Sequence, residues 1–183
     1  MTCKGCGRVS CTSEPFDDLS LPIPSASDDV DMSGQAGSLM LGGLVSSLLR
    51  EEQMCGANQY ECAACGCKQD AVKQFLLEEL PEILLITLLR FDHTPRKVCR
   101  FVEIPPSLSL TPRAPEEQAA VQYELFGVVT HEGSTRQSGH YYSFVHQLNA
   151  THWLRCDDSK VYVSSCQRAV NPELPTETPY LLF

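Results

Sequence analysis

Two copies of one five-residue device, Cys3-Lys4-Gly5-Cys6-Gly7 and Cys62-Ala63-Ala64-Cys65-Gly66, stand 55 residues apart in the chain. In each, the two-residue spacer lets both sulfurs face one point, and the glycine that follows permits the tight turn that aims backbone amides at the thiolates. Four soft ligands suit a tetrahedral zinc ion. The separation exceeds that of a local zinc ribbon, so the metal would tie two distant hairpins together across an inserted lobe. Its role would be structural, because four thiolates leave no open position for water. The competing reading is redox-active or unliganded thiols, and the paired spacing favours zinc. Cys11 and Cys67 lie close enough in sequence to substitute for one of Cys3, Cys6, Cys62 and Cys65. Cys55, Cys99, Cys156 and Cys166 are expected to be small buried hydrophobes, since none has a helix N-terminus or basic partner to depress its pKa.

Ten cysteines in 183 residues would also fit a secreted disulfide scaffold. The N-terminus MTCKGCGRVS has no apolar segment of a signal peptide, however, and no apolar run approaches the roughly 18 residues that span a bilayer. An intracellular chain with reduced thiols, cytoplasmic and/or nuclear, is the expectation, and the sequon Asn149-Ala150-Thr151 is expected to go unused. The formal net charge is −9, from 14 basic and 23 acidic residues. Nucleic-acid binding needs clustered Lys and Arg to release counterions, so it is not expected, and neither is a membrane. A basic protein or peptide is the more plausible partner.

Punctuation divides the chain. The first zinc pair falls in 1–24 and the second in 54–80, framing a finger region. Between them, 25–37 is rich in Ser, Asp, Gly and Pro and reads as a flexible insertion. Over 38–53, Leu41, Leu44, Val45, Leu48 and Leu49 recur at helical spacing behind Ser38 as a candidate N-cap, which predicts an amphipathic helix. The run from Ile83 to Phe91 suits a strand covered on both faces at the sheet centre. β-like runs follow at Lys97–Ile104, Tyr123–His131, His140–Gln147, His152–Cys156 and Lys160–Val163, and the last residues, PYLLF, close the sheet. Pro105–Pro115 reads as a surface connection, because its prolines cannot feed a central ladder. The class is α+β, with a mainly antiparallel sheet in 81–183.

The stretch SGHYYSFVHQLNATHWLRCDD holds a histidine and, seventeen positions on, an aspartate. Facing residues of an antiparallel hairpin have a constant index sum, so His140 and Asp157 oppose one another if the turn is centred between Leu148 and Asn149. Opposed Cβ atoms lie about 4.5–5.5 Å apart, within reach of an imidazole-to-carboxylate bond. Such a pair can be a base with its orienting group or a satisfied structural pair. Gly139 would let a substrate backbone approach the imidazole. Asp158 would point to the opposite face if the strand continued, and ranks second as orienter. His131, at the end of another β run, reads as structural.

The order of these motifs decides between the alternatives. CxxCG, a long insertion, YECAACGCKQDAVKQFLLEELPEILLITLLRF, then YELFGVVTHEGSTRQSGHYYSFV and WLRCDDSKV together resemble the ubiquitin-specific proteases, the papain-like cysteine deubiquitinases. The resemblance implies a hand-shaped fold with zinc-bearing fingers, a palm and a thumb. It implies that Cys3, Cys6, Cys62 and Cys65 hold structural zinc, that His140 is the general base and Asp157 its orienter, and that ubiquitin and ubiquitinated proteins are the partners. The reaction implied is hydrolysis of the bond after ubiquitin's C-terminal glycine. The family's nucleophile lies in an Asn-x-x-Cys-Tyr motif ahead of the first zinc pair, whereas only Met1 and Thr2 precede Cys3. The expectation is a partial hand without its thumb, the back part of a deubiquitinase that cannot form the acyl-enzyme alone. The alternatives are a non-catalytic ubiquitin-binding or scaffolding protein of this fold and a zinc-stabilised interaction module unrelated to ubiquitin.

Overall fold

A computed structural model of the chain describes residues 1–24, 39–91, 96–113, 119–147 and 149–183. In chain order its elements are β1 (Thr2–Cys3), β2 (Leu19–Pro22), α1 (Leu41–Leu49), β3 (Glu52–Met54), a 3-10 turn (Gly56–Asn58), β4 (Tyr60–Cys62), β5 (Cys67–Gln69), β6 (Ala71–Lys73) and β7 (Ile86–Leu89). Then come β8 (Ser107–Leu110), β9 (Val121–Glu124), β10 (Gly127–Glu132), β11 (His140–His146), β12 (Trp153–Asp157), β13 (Lys160–Ser164), α2 (Cys166–Val170) and β14 (Glu177–Leu182).

Seven strands in the order β13-β12-β11-β10-β14-β7-β2 make the palm. Neighbours are antiparallel except β2, which runs parallel to β7. Strand alternation sends Leu21, Leu88, Val128, Phe144 and Leu182 to one face, where all are buried, and α1 adds Leu41, Leu44 and Val45 to the same core. The two cysteine pairs belong to smaller pieces: β1 pairs with β6, which also takes β3, while β4 and β5 form a hairpin. Among the described residues no helix is long and apolar enough to cross a membrane.

Several expectations are corrected. The helix covers Leu41–Leu49 rather than 38–53: Met40 and Arg50 at its ends are extended. The polar residues Glu51 to Gln53 offer no apolar stripe to prolong it, and Glu52–Met54 pairs with β6 instead. Ser38 and the insertion at 25–37 lie outside the described residues. The run at 83–91 narrows to Ile86–Leu89 and sits beside the edge strand β2, away from the sheet centre. Only its alternate residues face the core, and Ile83 and Leu89 stay exposed.

Lys97–Ile104 forms no palm strand. The fully buried Arg90 guanidinium claims the carbonyls of Val98 (3.1 Å), Arg100 (2.8 Å) and Pro179 (2.6 Å), so two of that segment's acceptors go to a side chain instead of a ladder. The stretch expected to be only a connection contains β8, which pairs with β9 in a two-stranded ribbon outside the palm. Among the described residues its prolines, at 105, 106 and 112, flank β8 and leave the ladder intact.

Candidate active site and metal centre

The two CxxCG units meet. Cys3 and Cys65 sulfurs are 3.9 Å apart, those of Cys6 and Cys62 are 3.8 Å apart, and all four lie within 4.8 Å of one another. A tetrahedron with metal–sulfur bonds of about 2.3 Å has edges of roughly 3.8 Å, which the Cys3–Cys65 and Cys6–Cys62 separations match, so the donor set is compatible with zinc. Each loop is closed by its own backbone: Gly7 N–H donates to Cys3 O, and the Cys65 and Gly66 amides donate to Cys62 O. Gly7 and Gly66 have φ of 70° and 66°, left-handed values that explain a glycine at both positions.

Crowding splits the thiols. The backbone amide of Cys65 leads the effects that bring Cys62 down to about 7, while the Cys6 side chain leads those that push Cys65 up to about 12. Four thiols this close cannot all be anionic without a cation. Cys11 and Cys67 do not join the group. Cys55 and Cys99 are exposed and Cys156 and Cys166 intermediate, which corrects the expectation of four buried hydrophobes, since turns and connections carry the first two.

At the far end of the palm, His140 opens β11 and Asp157 closes β12, with His140 Nε2 2.6 Å from Asp157 Oδ1. Their register differs from the one expected. Ser143 faces Cys156 and His146 faces Trp153, which moves the turn centre one residue on, so that His140 and Asp157 are diagonal neighbours on one face. Diagonal positions remain within reach of long side chains. The bond to Asp157, opposed by burial, raises the His140 pKa above its ordinary value, with Asp158 and Glu132 adding to the rise. Asp157 is held low, first by His140 and then by Arg155.

Asp158 does not continue the strand. It sits in the two-residue turn between Asp157 and Lys160 with φ of 50°, and the ligand atoms of His140, Asp157 and Asp158 all lie within 4.8 Å. The condition for its expected placement on the opposite face, a strand continuing past Asp157, is therefore not met. None of the ten cysteine sulfurs joins this group.

His131 is 2% exposed and packs between Phe91 and Tyr141. Burial, then the charge of Lys97, lowers its pKa. Gly139 has a reason beyond substrate access: a Cβ there would stand 2.2 Å from His131 Nε2 and 2.7 Å from Glu132 O. Sequence reasoning also missed Arg155, whose Nη2 donates to Asp157 Oδ2 at 2.9 Å. Its signal was available, because residues two apart on a strand share a face.

The family described as ubiquitin carboxyl-terminal hydrolase matches residues 1–183. The chain belongs to that family. Ubiquitin carboxyl-terminal hydrolase nonstop of Drosophila melanogaster is 30% identical over 189 residues, covering 100% of this chain and 36% of that protein. Ubiquitin carboxyl-terminal hydrolase 22 of Homo sapiens is 29% identical over 215 residues, covering 100% of this chain and 40% of that protein. Among solved structures, a yeast SAGA DUBm superposes with a TM-score of 0.78 at 32% identity, over 100% of this chain and 38% of that one. The SAGA Ubp8/Sgf11/Sus1/Sgf73 DUB module bound to ubiquitin aldehyde gives 0.75 at 30% identity, over 99% and 38%. The chain thus spans about two fifths of the length of these relatives, and its α+β fold of palm and fingers is that of the ubiquitin-specific proteases.

Proposed function

We propose that this chain carries the general base and orienting carboxylate of a thiol-dependent deubiquitinase, which hydrolyses the bond after ubiquitin's C-terminal glycine. The observation that supports it is the 2.6 Å contact between His140 Nε2 and Asp157 Oδ1 within the fold of a hydrolase family. With Nε2–H given to Asp157, Nδ1 of the ring is the atom free to exchange a proton with a thiol. His140 takes the proton from the thiol, the thiolate attacks the scissile carbonyl, and the C–N bond breaks as the imidazolium protonates the departing amine. Water then cleaves the thioester with His140 again as base.

The thiol is assigned to residues outside these 183, because no cysteine sulfur of the chain joins the His140 group, and the chain alone is assigned no turnover. Cys3, Cys6, Cys62 and Cys65 would hold a structural zinc that fixes the finger hairpins. Ubiquitin and ubiquitinated proteins are the assigned partners, supported by a structural neighbour bound to ubiquitin aldehyde, and the assigned location is cytoplasm and/or nucleus.

The test is labelling of native lysate with a ubiquitin probe carrying a thiol-reactive C-terminus, detected with an antibody against 138–163. A labelled band well above the mass of this 20.3 kDa chain plus the probe, lost in a His140→Ala strain, supports the proposal. An unlabelled species that still binds ubiquitin refutes catalysis and leaves a binding protein.

A further inference from the structure

We propose that Arg155 is a positioning residue for the His140–Asp157 pair, locking the Asp157 carboxylate so that Oδ1 alone faces the imidazole. The inference rests on the reading of that pair as base and orienter. Both carboxylate oxygens are claimed, Oδ1 by His140 Nε2 at 2.6 Å and Oδ2 by Arg155 Nη2 at 2.9 Å. A carboxylate held at one oxygen can still rotate about its terminal torsion, which is broad, whereas one held at both has a fixed plane. Charge-assisted bonds of this kind are about twice as strong as neutral ones.

Arg155 is itself held. Its guanidinium carbon lies 4.1 Å from the centroid of the Tyr142 ring, and Tyr142, 3% exposed, faces Asp157's side of the sheet. Tyr142 donates its hydroxyl to Glu177. Glu177 is fixed by Arg168 Nη2 at 2.9 and 3.0 Å and by the backbone amides of Glu173 and Leu174. Direct contacts therefore run from the start of β14 to the proposed orienter, with no step left to water. Flat stacking and directed donation together suit arginine, since a lysine supplies charge without the planar fork.

The cation also offsets part of the field at His140. That ring faces Asp157 from β12, Asp158 from the turn after it and Glu132 from β10, three anions. Arg155 is the cation bonded to the nearest of them, and it keeps the imidazole easier to deprotonate than the anions alone would allow.

The experiment is histidine ring NMR on the full 183-residue chain, comparing wild type with Arg155→Gln and Arg155→Lys. The readouts are the His140 titration midpoint and the solvent exchange of its Nε2 proton, with far-UV circular dichroism as the check on folding. In Arg155→Gln the midpoint moves up and the Nε2 proton signal is lost to exchange. In Arg155→Lys the midpoint returns toward wild type while the Nε2 proton still exchanges faster. A wild-type midpoint in folded Arg155→Gln, or wild-type exchange in folded Arg155→Lys, overturns the proposal. If the glutamine variant does not fold, the lysine variant decides by its exchange rate. Ubiquitin takes no part in these readouts, so failure here is distinct from failure of the deubiquitinase reading, which the probe labelling reports.

Discussion

Replacing Gly139 by alanine adds one methyl at the tightest point beside His140. The backbone there lies outside the left-handed region, so alanine meets no torsional strain and the effect is purely one of space. The new Cβ would stand 2.2 Å from His131 Nε2, about 1.2 Å inside the 3.4 Å at which ordinary contact begins, and 2.7 Å from Glu132 O. Neither neighbour can withdraw freely: His131 is packed against Phe91 and Tyr141, and Glu132 is paired with both His140 and Glu177. β10 and β11 must separate locally, and overpacking of this kind costs about 1–3 kcal/mol. With a urea slope of about 2 kcal/mol/M, the unfolding midpoint falls by roughly 0.5–1.5 M. Trp153, the only tryptophan and 6% exposed on β12, reports unfolding by fluorescence. His140 is the next residue, so its bond to Asp157 lengthens as well. The double variant with His131→Ala removes the shortest contact and leaves Glu132 O, so it recovers part of the loss beyond additivity. An unchanged midpoint in Gly139→Ala, with the His140 ring signals unmoved, would show that the close approach has no energetic weight.

Two further outcomes are expected. Chelation of zinc from the loaded protein would remove the tie between the two loops and leave four crowded thiols that must take up protons or move apart, so the hairpins carrying Cys3–Cys6 and Cys62–Cys65 should loosen and become cleavable by protease. Unchanged circular dichroism and proteolysis after verified metal loss would contradict that. Asp157→Asn should remove a pH-dependent part of stability. His140, raised from 6.5, stabilises fully below that value, and its contribution is lost as pH rises through the folded pKa. Asp157, lowered from 3.8, stabilises above that value, and its contribution is lost as pH falls through its folded pKa. The wild-type advantage in urea midpoint should therefore be largest between about pH 4 and 6.5, and an advantage that is flat with pH would refute the pair's contribution.

The four-cysteine cluster was the most legible part of the sequence, since two cysteines and a glycine at fixed spacing set their own local geometry. Reading His140 with Asp157 needed only an alternating pattern and a turn, and it placed the two residues together while missing their register. The turn closes one residue later than expected, with Asn149 at φ of 66° and the Ala150 amide donating to Gln147 O, a choice that index arithmetic cannot see. Less legible were elements whose partners are distant. β2 is a strand because β7 lies parallel beside it some 65 residues later. Lys97–Ile104 reads as a strand by composition, yet Arg90 occupies its carbonyls from inside the core. Local propensity says nothing about which acceptors a buried guanidinium will take.

The meeting of two cysteine pairs 55 residues apart also governs how freely this protein can change length. A cross-link between Cys6 and Cys62 through a shared ion closes one long loop, and the entropy of closing a loop grows only with the logarithm of its length. Lengthening the intervening chain by another fourteen residues would raise that entropy cost by about 0.2 kcal/mol. Relatives could therefore lengthen or exchange the segment after Pro24, even for a separate domain, while the palm and fingers keep their relation. Changing the two-residue spacer within either cysteine pair would leave no such freedom, because there a bound ion would fix the distance.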